Sequence, residues 1–305
     1  MSVTTKALQA HNSSIIELKV TLKGIPKLDL LSQSDPQVFL FLKNPHGNDW
    51  LNNPHSQTER IENESNPSFE TPFILEYHFE ELQRIKFIAV DVDKRNNLAW
   101  NEQELIGEFV TDIGSILGKS KGILKGKLIL TKHPGKDRGQ IIIVGRELPP
   151  ENGKAFSLKV QGRNLHIPTL LTKPDVFYQL SRRIQGNSDT LSSMDVLIHK
   201  SERCKSKNPD WSIIKLFERD LQNENNRSPN DEVSFTCWQH KHDGNHKCIG
   251  ERVLKINELL SSNHASFQQI SLVPKGELWL QCTFEKTFLD YIAGGLEIQL
   301  SVAID

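Results

Sequence analysis

Short apolar and β-branched runs recur along the chain, each bounded by Pro, Gly, Asn or Asp: IIELKVTL (15–22), QVFLFL (37–42), PFILEYHF (72–79), RIKFIAVDV (84–92), GKLILTK (126–132) and GQIIIVGREL (139–148). Short strands separated by turn residues predict an all-β sandwich. Helical periodicity is scarce, and FVTDIGSILG (109–118) and RVLKINELL (252–260) are the candidates for single short helices.

The second half repeats the order with KAFSLKVQG, VFYQLSRR, MDVLIHK, VSFTCW and ELWLQCTF. Landmarks repeat as well. TERIENESNPSF (58–69) is echoed by KSERCKSKNPDW (200–211), each with Asn-Pro two residues before an aromatic, and LDLLSQSDPQVFLFL is echoed by IPTLLTKPDVFYQL. FIAVDVDKRNNLAWNEQELIGE is echoed by FTCWQHKHDGNHKCIGE, both ending in Ile-Gly-Glu. Landmarks in one order at comparable separations indicate an internal duplication. The expected layout is a flexible lead-in at 1–13, a first domain at 14–148, a linker at 149–153 within PPENGK, a second domain at 154–286 and a tail at 287–305.

A chain of 305 residues, 37% hydrophobic and 25% charged, suits two globular domains. Its net charge of -1 argues against nucleic acid held by bulk positive charge. The amino terminus lacks the apolar core of a signal peptide and carries Ser2 where myristoylation needs glycine, so a cytoplasmic monomer is expected. The cysteines Cys204, Cys237, Cys248 and Cys282 lack the paired spacing of structural zinc modules and read as free thiols.

In the first copy Asp29 and Asp35 flank the turn before one strand, Asp91 and Asp93 follow another, and Glu102 and Glu104 precede Ile106-Gly107. An Asp-x-Asp at a strand end aims both carboxylates at one loop mouth, and two such loops at one end of a sandwich converge. Like charges that close repel unless a cation neutralises them, and calcium accepts this flexible oxygen geometry. Single loop carboxylates usually cap turns; the pairing across two loops is what points to a metal.

LDLLSQSDP, TERIENESNPSF and VDVDKRNNLAWNEQELIGE resemble the first calcium loop, the fourth-strand signature and the third calcium loop of a C2 domain. The tandem order and KTFLDYIAGGLEIQLSVAID (286–305) narrow the resemblance to the copines, whose two C2 domains precede a von Willebrand A-type domain; this tail is similar to the junction and opening strand of that third domain. The resemblance implies two eight-stranded Greek-key sandwiches and calcium-dependent binding of anionic phospholipid. It places the metal ligands on Asp29, Asp35, Asp91, Asp93 and Glu104. Glu in the last position departs from the family's Asp and moves the carboxylate by about 1.5 Å. Leu30, Leu31, Leu98 and Trp100 are the candidate membrane contacts, Trp100 foremost because an indole suits a half-wet interface. Residues tucked under their own loops are the alternative.

The second copy carries Thr169, Gln239, Lys241 and Lys247 where the first has Asp29, Asp91, Asp93 and Glu104, and only Asp175 keeps its carboxylate. Calcium there is not expected, since ammonium groups in the pocket repel it. CWQHKHDGNHKCIGE (237–251) invites a zinc reading, but Cys237 shares a face with Phe235 and cannot join the histidines if that face is core. Lys241, His242, His246 and Lys247 instead suggest calcium-independent attraction to anionic lipid that strengthens below about pH 6.5. GKSKG (118–122) and GSILGKS (114–120) lack the α/β context of a hydrolase elbow or a P-loop, so no enzyme is expected. Two functions follow: a calcium-regulated peripheral membrane protein recruited from the cytoplasm to the plasma membrane or endomembranes through the first domain, or a calcium-independent protein-interaction scaffold.

Overall fold

The computed structural model describes residues 13–28, 32–44, 47–93, 99–119, 122–131, 135–148, 153–167, 174–184, 193–223, 231–261 and 266–284. Their strands are β1 (Ser13–Lys23), β2 (Pro36–Leu42), β3 (Ser56–Gln57), β4 (Phe73–His78), β5 (Arg84–Asp91), β6 (Glu104–Asp112), β7 (Ile123–Lys127) and β8 (Gln140–Glu147) in the first half. The second half has β9 (Ala155–Arg163), β10 (Val176–Ile184), β11 (Met194–Lys200), β12 (Ile214–Phe217), β13 (Glu232–Gln239), β14 (Lys247–Lys255), β15 (Gln268–Ser271), β16 (Val273–Pro274) and β17 (Glu277–Phe284).

In the first sandwich, sheet β4-β1-β8-β7 faces sheet β3-β2-β5-β6; in the second, β12-β9-β17-β15 faces β11-β10-β13-β14-β16. The chain changes sheets after β1, β3, β4 and β6 and again after β9, β11 and β12, as in a Greek key, and among the described residues the two-residue β16 gives the second copy one strand more than the eight expected. Period-two alternation sets the cores: Ile16, Leu18, Val20 and Leu22 of β1 meet Val38, Leu40, Phe87 and Ala89. The same logic in the second half gathers Phe156, Leu158 and Val160 with Tyr178, Leu180 and Phe235. Strands β2 and β5 are buried on both faces, because Phe39, Phe41, Ile88 and Val90 form a small outer cluster under Trp50 and Trp100.

The helical expectation at 109–118 is corrected in its first half: β6 continues to Asp112, and the chain is helical from Ile113 through 119. Likewise β14 runs to Lys255 before a helix at Ile256–Ser261. Strand pairing outweighs local periodicity at both places.

The repeated landmarks have physical causes that recur in both copies. Asn66 Oδ1 accepts the Gly24 N–H at 2.9 Å, and Asn208 Oδ1 accepts the Asn164 N–H at 2.8 Å. The adjoining proline carbonyls accept from Leu22 and Gly162, both at 2.9 Å, which drops Phe69 and Trp211 into their cores. Thr58 and Ser201 hydroxyls accept the Val38 and Tyr178 N–H groups at 3.0 and 2.9 Å. In Ile-Gly-Glu, a Cβ on Gly107 would lie 2.9 Å from Leu128 Cβ, and one on Gly250 would lie 2.9 Å from Leu272 Cβ, so only glycine fits.

The halves meet along a charged seam. Glu17 of β1 accepts from Arg146 Nε at 2.9 Å and from Arg182 Nη2 of β10 at 2.8 Å, while Arg146 Nη1 donates to the Arg219 carbonyl at 2.8 Å. Burial alone raises the Glu17 pKa, but Arg182 and Arg146 outweigh it and hold the carboxyl at about 2. Nearby, Glu70 of the first half meets His199 Nδ1 of the second at 2.9 Å.

Candidate functional site

The strand ends carry the candidate site. Asp91, the last residue of β5, is in register with Pro36 on one side and Glu104 on the other, and Asp35 immediately precedes β2. Adjacent strands lie about 4.8 Å apart, so Asp35, Asp91 and Glu104 gather at one corner of the first sandwich. The register also separates Glu104, opposite Asp91, from Glu102, which lies in a helical turn before β6.

The two acidic loops are tied together by backbone. Asp91, fully buried, accepts the Asp35 N–H on Oδ1 at 2.6 Å, and the Asp35 carbonyl accepts the Val92 N–H at 3.1 Å. The Asp35 carboxylate accepts the Asn63 N–H at 2.8 Å and Arg60 Nη1 at 3.3 Å. Asp93 is exposed just beyond. Hard, anionic oxygens on crossing loops fit calcium in their chemistry. Yet among the described residues no group of three or more His, Cys, Asp or Glu closes on a single point. Asp29, the remaining ligand candidate, lies outside the described residues, as do Leu30, Leu31 and Leu98.

Trp100 opens the helical turn Trp100–Glu102, and its half-buried ring meets Phe41 edge-on with centroids 5.0 Å apart. The indole thus has a packed face on the outer cluster of β2 and β5.

The same corner of the second sandwich has the same frame. Gln239 ends β13 in register with Val176 and Lys247, Asp175 precedes β10, and the Asp175 carbonyl accepts the His240 N–H at 2.7 Å. Even the β-bulge recurs, between Ala89 and Val90 in one copy and between Cys237 and Trp238 in the other. Glutamine and lysine therefore stand where the first copy has Asp91 and Glu104.

One shared feature was missed in sequence. Arg60 pairs with Asp35, and Arg203 pairs with Asp175, each at 3.3 Å. The Glu-Arg that follows Thr58 and Ser201 in the two landmarks was its visible signal.

Cys237 is fully buried in the core beside Phe235, and burial pushes its thiol pKa up, so it does not join the histidines. The His240 ring lies tilted beside His246 and edge-on to His242, with centroids 4.9 and 5.2 Å apart. Burial, with Lys200 adding to it, lowers the His246 pKa to about 4. That shift runs against the expectation of His246 charging below pH 6.5; its ring packs on Phe177 and His240, with Glu64 of the first half 3.6 Å away.

The C2 domain model matches residues 17–126 and again 159–270. The chain belongs to the C2-domain family. Its tandem C2 domains are copine-like: copine-B of Dictyostelium discoideum is 32% identical over 95% of this chain and 54% of its own length. Copine-D of the same organism is 30% identical over 98% of this chain and 55% of its length, so the chain spans about half the length of the curated relatives it matches. A solved structure of the paired C2 domains of extended-synaptotagmin 2, calcium bound, covers 89% of this chain and 96% of its own at 13% identity and a TM-score of 0.31, too loose a likeness to argue from.

Proposed function

We propose that this copine-like pair of C2 domains is a calcium-dependent, phospholipid-binding protein that docks on anionic membranes through its first C2 domain. Membership of the C2-domain family supports a calcium- and phospholipid-binding type of protein in general. The observation that carries the finer reading is the shared frame: Asp35, Asp91 and Glu104 at one corner of the first domain, and Asp175, Gln239 and Lys247 at the same corner of the second.

Asp35, Asp91, Asp93 and Glu104, with Asp29 from the neighbouring loop, would hold calcium, which supplies positive charge between these carboxylates and lipid phosphates. Without a cation the corner is anionic and repelled by an anionic surface. Asp91 is fixed by its buried position and its bond to the Asp35 N–H, so the loops are oriented before any ligand arrives. Leu30, Leu31, Leu98 and Trp100 belong to the proposed membrane-facing side, with Trp100 braced on Phe41. Among the described residues no helix is long and apolar enough to cross a membrane, which suits reversible docking at the plasma membrane or endomembranes from the cytoplasm. Binding rather than catalysis is part of this proposal.

The test is calorimetry of the purified chain with calcium, followed by cosedimentation with phosphatidylserine vesicles. Heat and calcium-dependent pelleting are expected; the absence of both would refute the reading.

A further inference from the structure

The histidine-rich loop of the second domain sits against the turn that carries Arg60, Asn63 and Glu64, and that turn is held by a candidate calcium ligand. Gly244 has φ +74°, and a Cβ there would run into the Asn63 carbonyl oxygen, so the two backbones are in direct contact. His246 Nε2 lies 3.6 Å from Glu64 Oε2 across the same contact. Burial raises the Glu64 pKa.

On the first-domain side the turn is unusual. Asn63 adopts φ +53°, a left-handed conformation that a residue with a Cβ holds only when something supports it. The support is Asp35, whose Oδ1 accepts the Asn63 N–H at 2.8 Å, together with the Ser34 carbonyl, which accepts the Glu64 N–H at 3.1 Å. The other Asp35 oxygen holds Arg60 at 3.3 Å. Asp35 thus touches the turn twice.

Arg60 also lines a crevice of about 380 Å³ whose opposite wall includes Lys200, Arg203, His240 and His242. The acidic groups facing this crevice are already engaged. Glu62 pairs with Arg60, Glu70 with His199, and Glu202 accepts from Ser212, while the Glu59 carboxylate caps the Glu70 and Thr71 N–H groups. A guanidinium released from Asp35 keeps Glu62 as its partner, so what Asp35 controls is the Asn63 turn itself.

We propose that the loop at 240–246 is an interdomain docking surface for the Arg60–Asn63–Glu64 turn, and that Asp35 links this docking to the acidic corner. A divalent cation drawn to Asp35 competes with Arg60 for the same oxygen, resets the turn and loosens the second domain's loop. The cation half of this link rests on the calcium reading of the first domain. The docking half does not.

Hydrogen exchange of the full chain, read on peptides covering 60–66 and 240–247, tests it. In chelator, Asp35→Asn removes the oxygen that holds Arg60 and should speed exchange at 240–247 about tenfold, equivalent to 1.4 kcal/mol. Calcium should produce the same rise in the wild type and none further in the variant. Gly244→Ala, made on the opposite domain, should speed exchange at 60–66, a cross-domain effect that local damage does not give. Unchanged protection in β9 and β17 serves as the folding control. Calcium heat with unchanged exchange at 240–247 would overturn the coupling while leaving the first-domain calcium site intact. Faster exchange in Asp35→Asn without calcium heat would uphold the Asp35 link and overturn the calcium reading. Unchanged exchange in Asp35→Asn and Gly244→Ala would overturn the docking itself.

Discussion

At one corner of the first domain Pro36, Asp91 and Glu104 stand side by side, and at the same corner of the second Val176, Gln239 and Lys247 do. The bulge beside them, the aspartate before the strand and its arginine partner are common to both. What differs is confined to side chains: buried Asp91 is replaced by buried Gln239, and Glu104 by exposed Lys247. The duplicated scaffold therefore does not require carboxylates at these positions, and their presence in one copy alone points to a ligand. The second copy puts its loop to another use, packing His246 and Gly244 onto the first domain.

The sharpest way to break this comparison is to make the first corner like the second. Asp91→Lys places an ammonium among Asp35 and Glu104 and should reduce calcium affinity about a thousandfold or more, roughly 4 kcal/mol, read by calorimetry. If affinity survives, the corner is not the site.

The scaffold half of the comparison predicts equal losses. Gly107→Ala and Gly250→Ala each force a Cβ against a leucine Cβ at 2.9 Å and should each destabilise by about 1–3 kcal/mol in urea unfolding. A cost in only one copy would show that the frames are less alike than their registers.

A third difference is pH. His246 has its pKa lowered to about 4 by burial, with Lys200, His240 and Arg203 adding to it and Asp243 opposing, while Glu64 faces it from the first domain. Its counterpart in the first domain is Gln103, which does not titrate. The undocked loop binds the proton more readily between about pH 6.5 and 4, so docking is complete above that window and weakens as pH falls through it. At pH 5.5 exchange at 240–247 should be faster by up to about tenfold, with His246→Gln insensitive.

The smallest effect separates the two Asp–Arg pairs. Arg60→Ala frees an oxygen of the candidate ligand Asp35 and should raise calcium affinity about two- to fivefold, the scale of a partly exposed ion pair. Arg203→Ala should leave it unchanged, because Asp175 has no acidic companions at Gln239 and Lys247.

Much of the fold was legible because period-two runs and turn residues are local signals. The duplication was legible because Asn66 and Asn208, Phe69 and Trp211, and Gly107 and Gly250 each do one steric or hydrogen-bonding task that few residue types can do. The helix expected from 109 was misread because β6 gains its stability from pairing with β5, which no local window records. The acidic corner was readable from Asp-x-Asp spacing, whereas the repeated Glu-Arg showed that Arg60 recurs but not its partner, since Asp35 is brought near only by folding. The seam of Glu17, Arg146 and Arg182 joins residues 129 and 165 positions apart and leaves no sequence pattern.

The central claim, that calcium-dependent membrane docking belongs to the first domain, is tested most directly by vesicle cosedimentation of the full chain with Asp91→Asn and Asp93→Asn introduced together. The account predicts that pelleting with phosphatidylserine vesicles in calcium falls to the level seen in chelator, while Gln239→Ala with Lys247→Ala pellets as the wild type does. Undiminished calcium-dependent pelleting by the Asp91, Asp93 variant would contradict it.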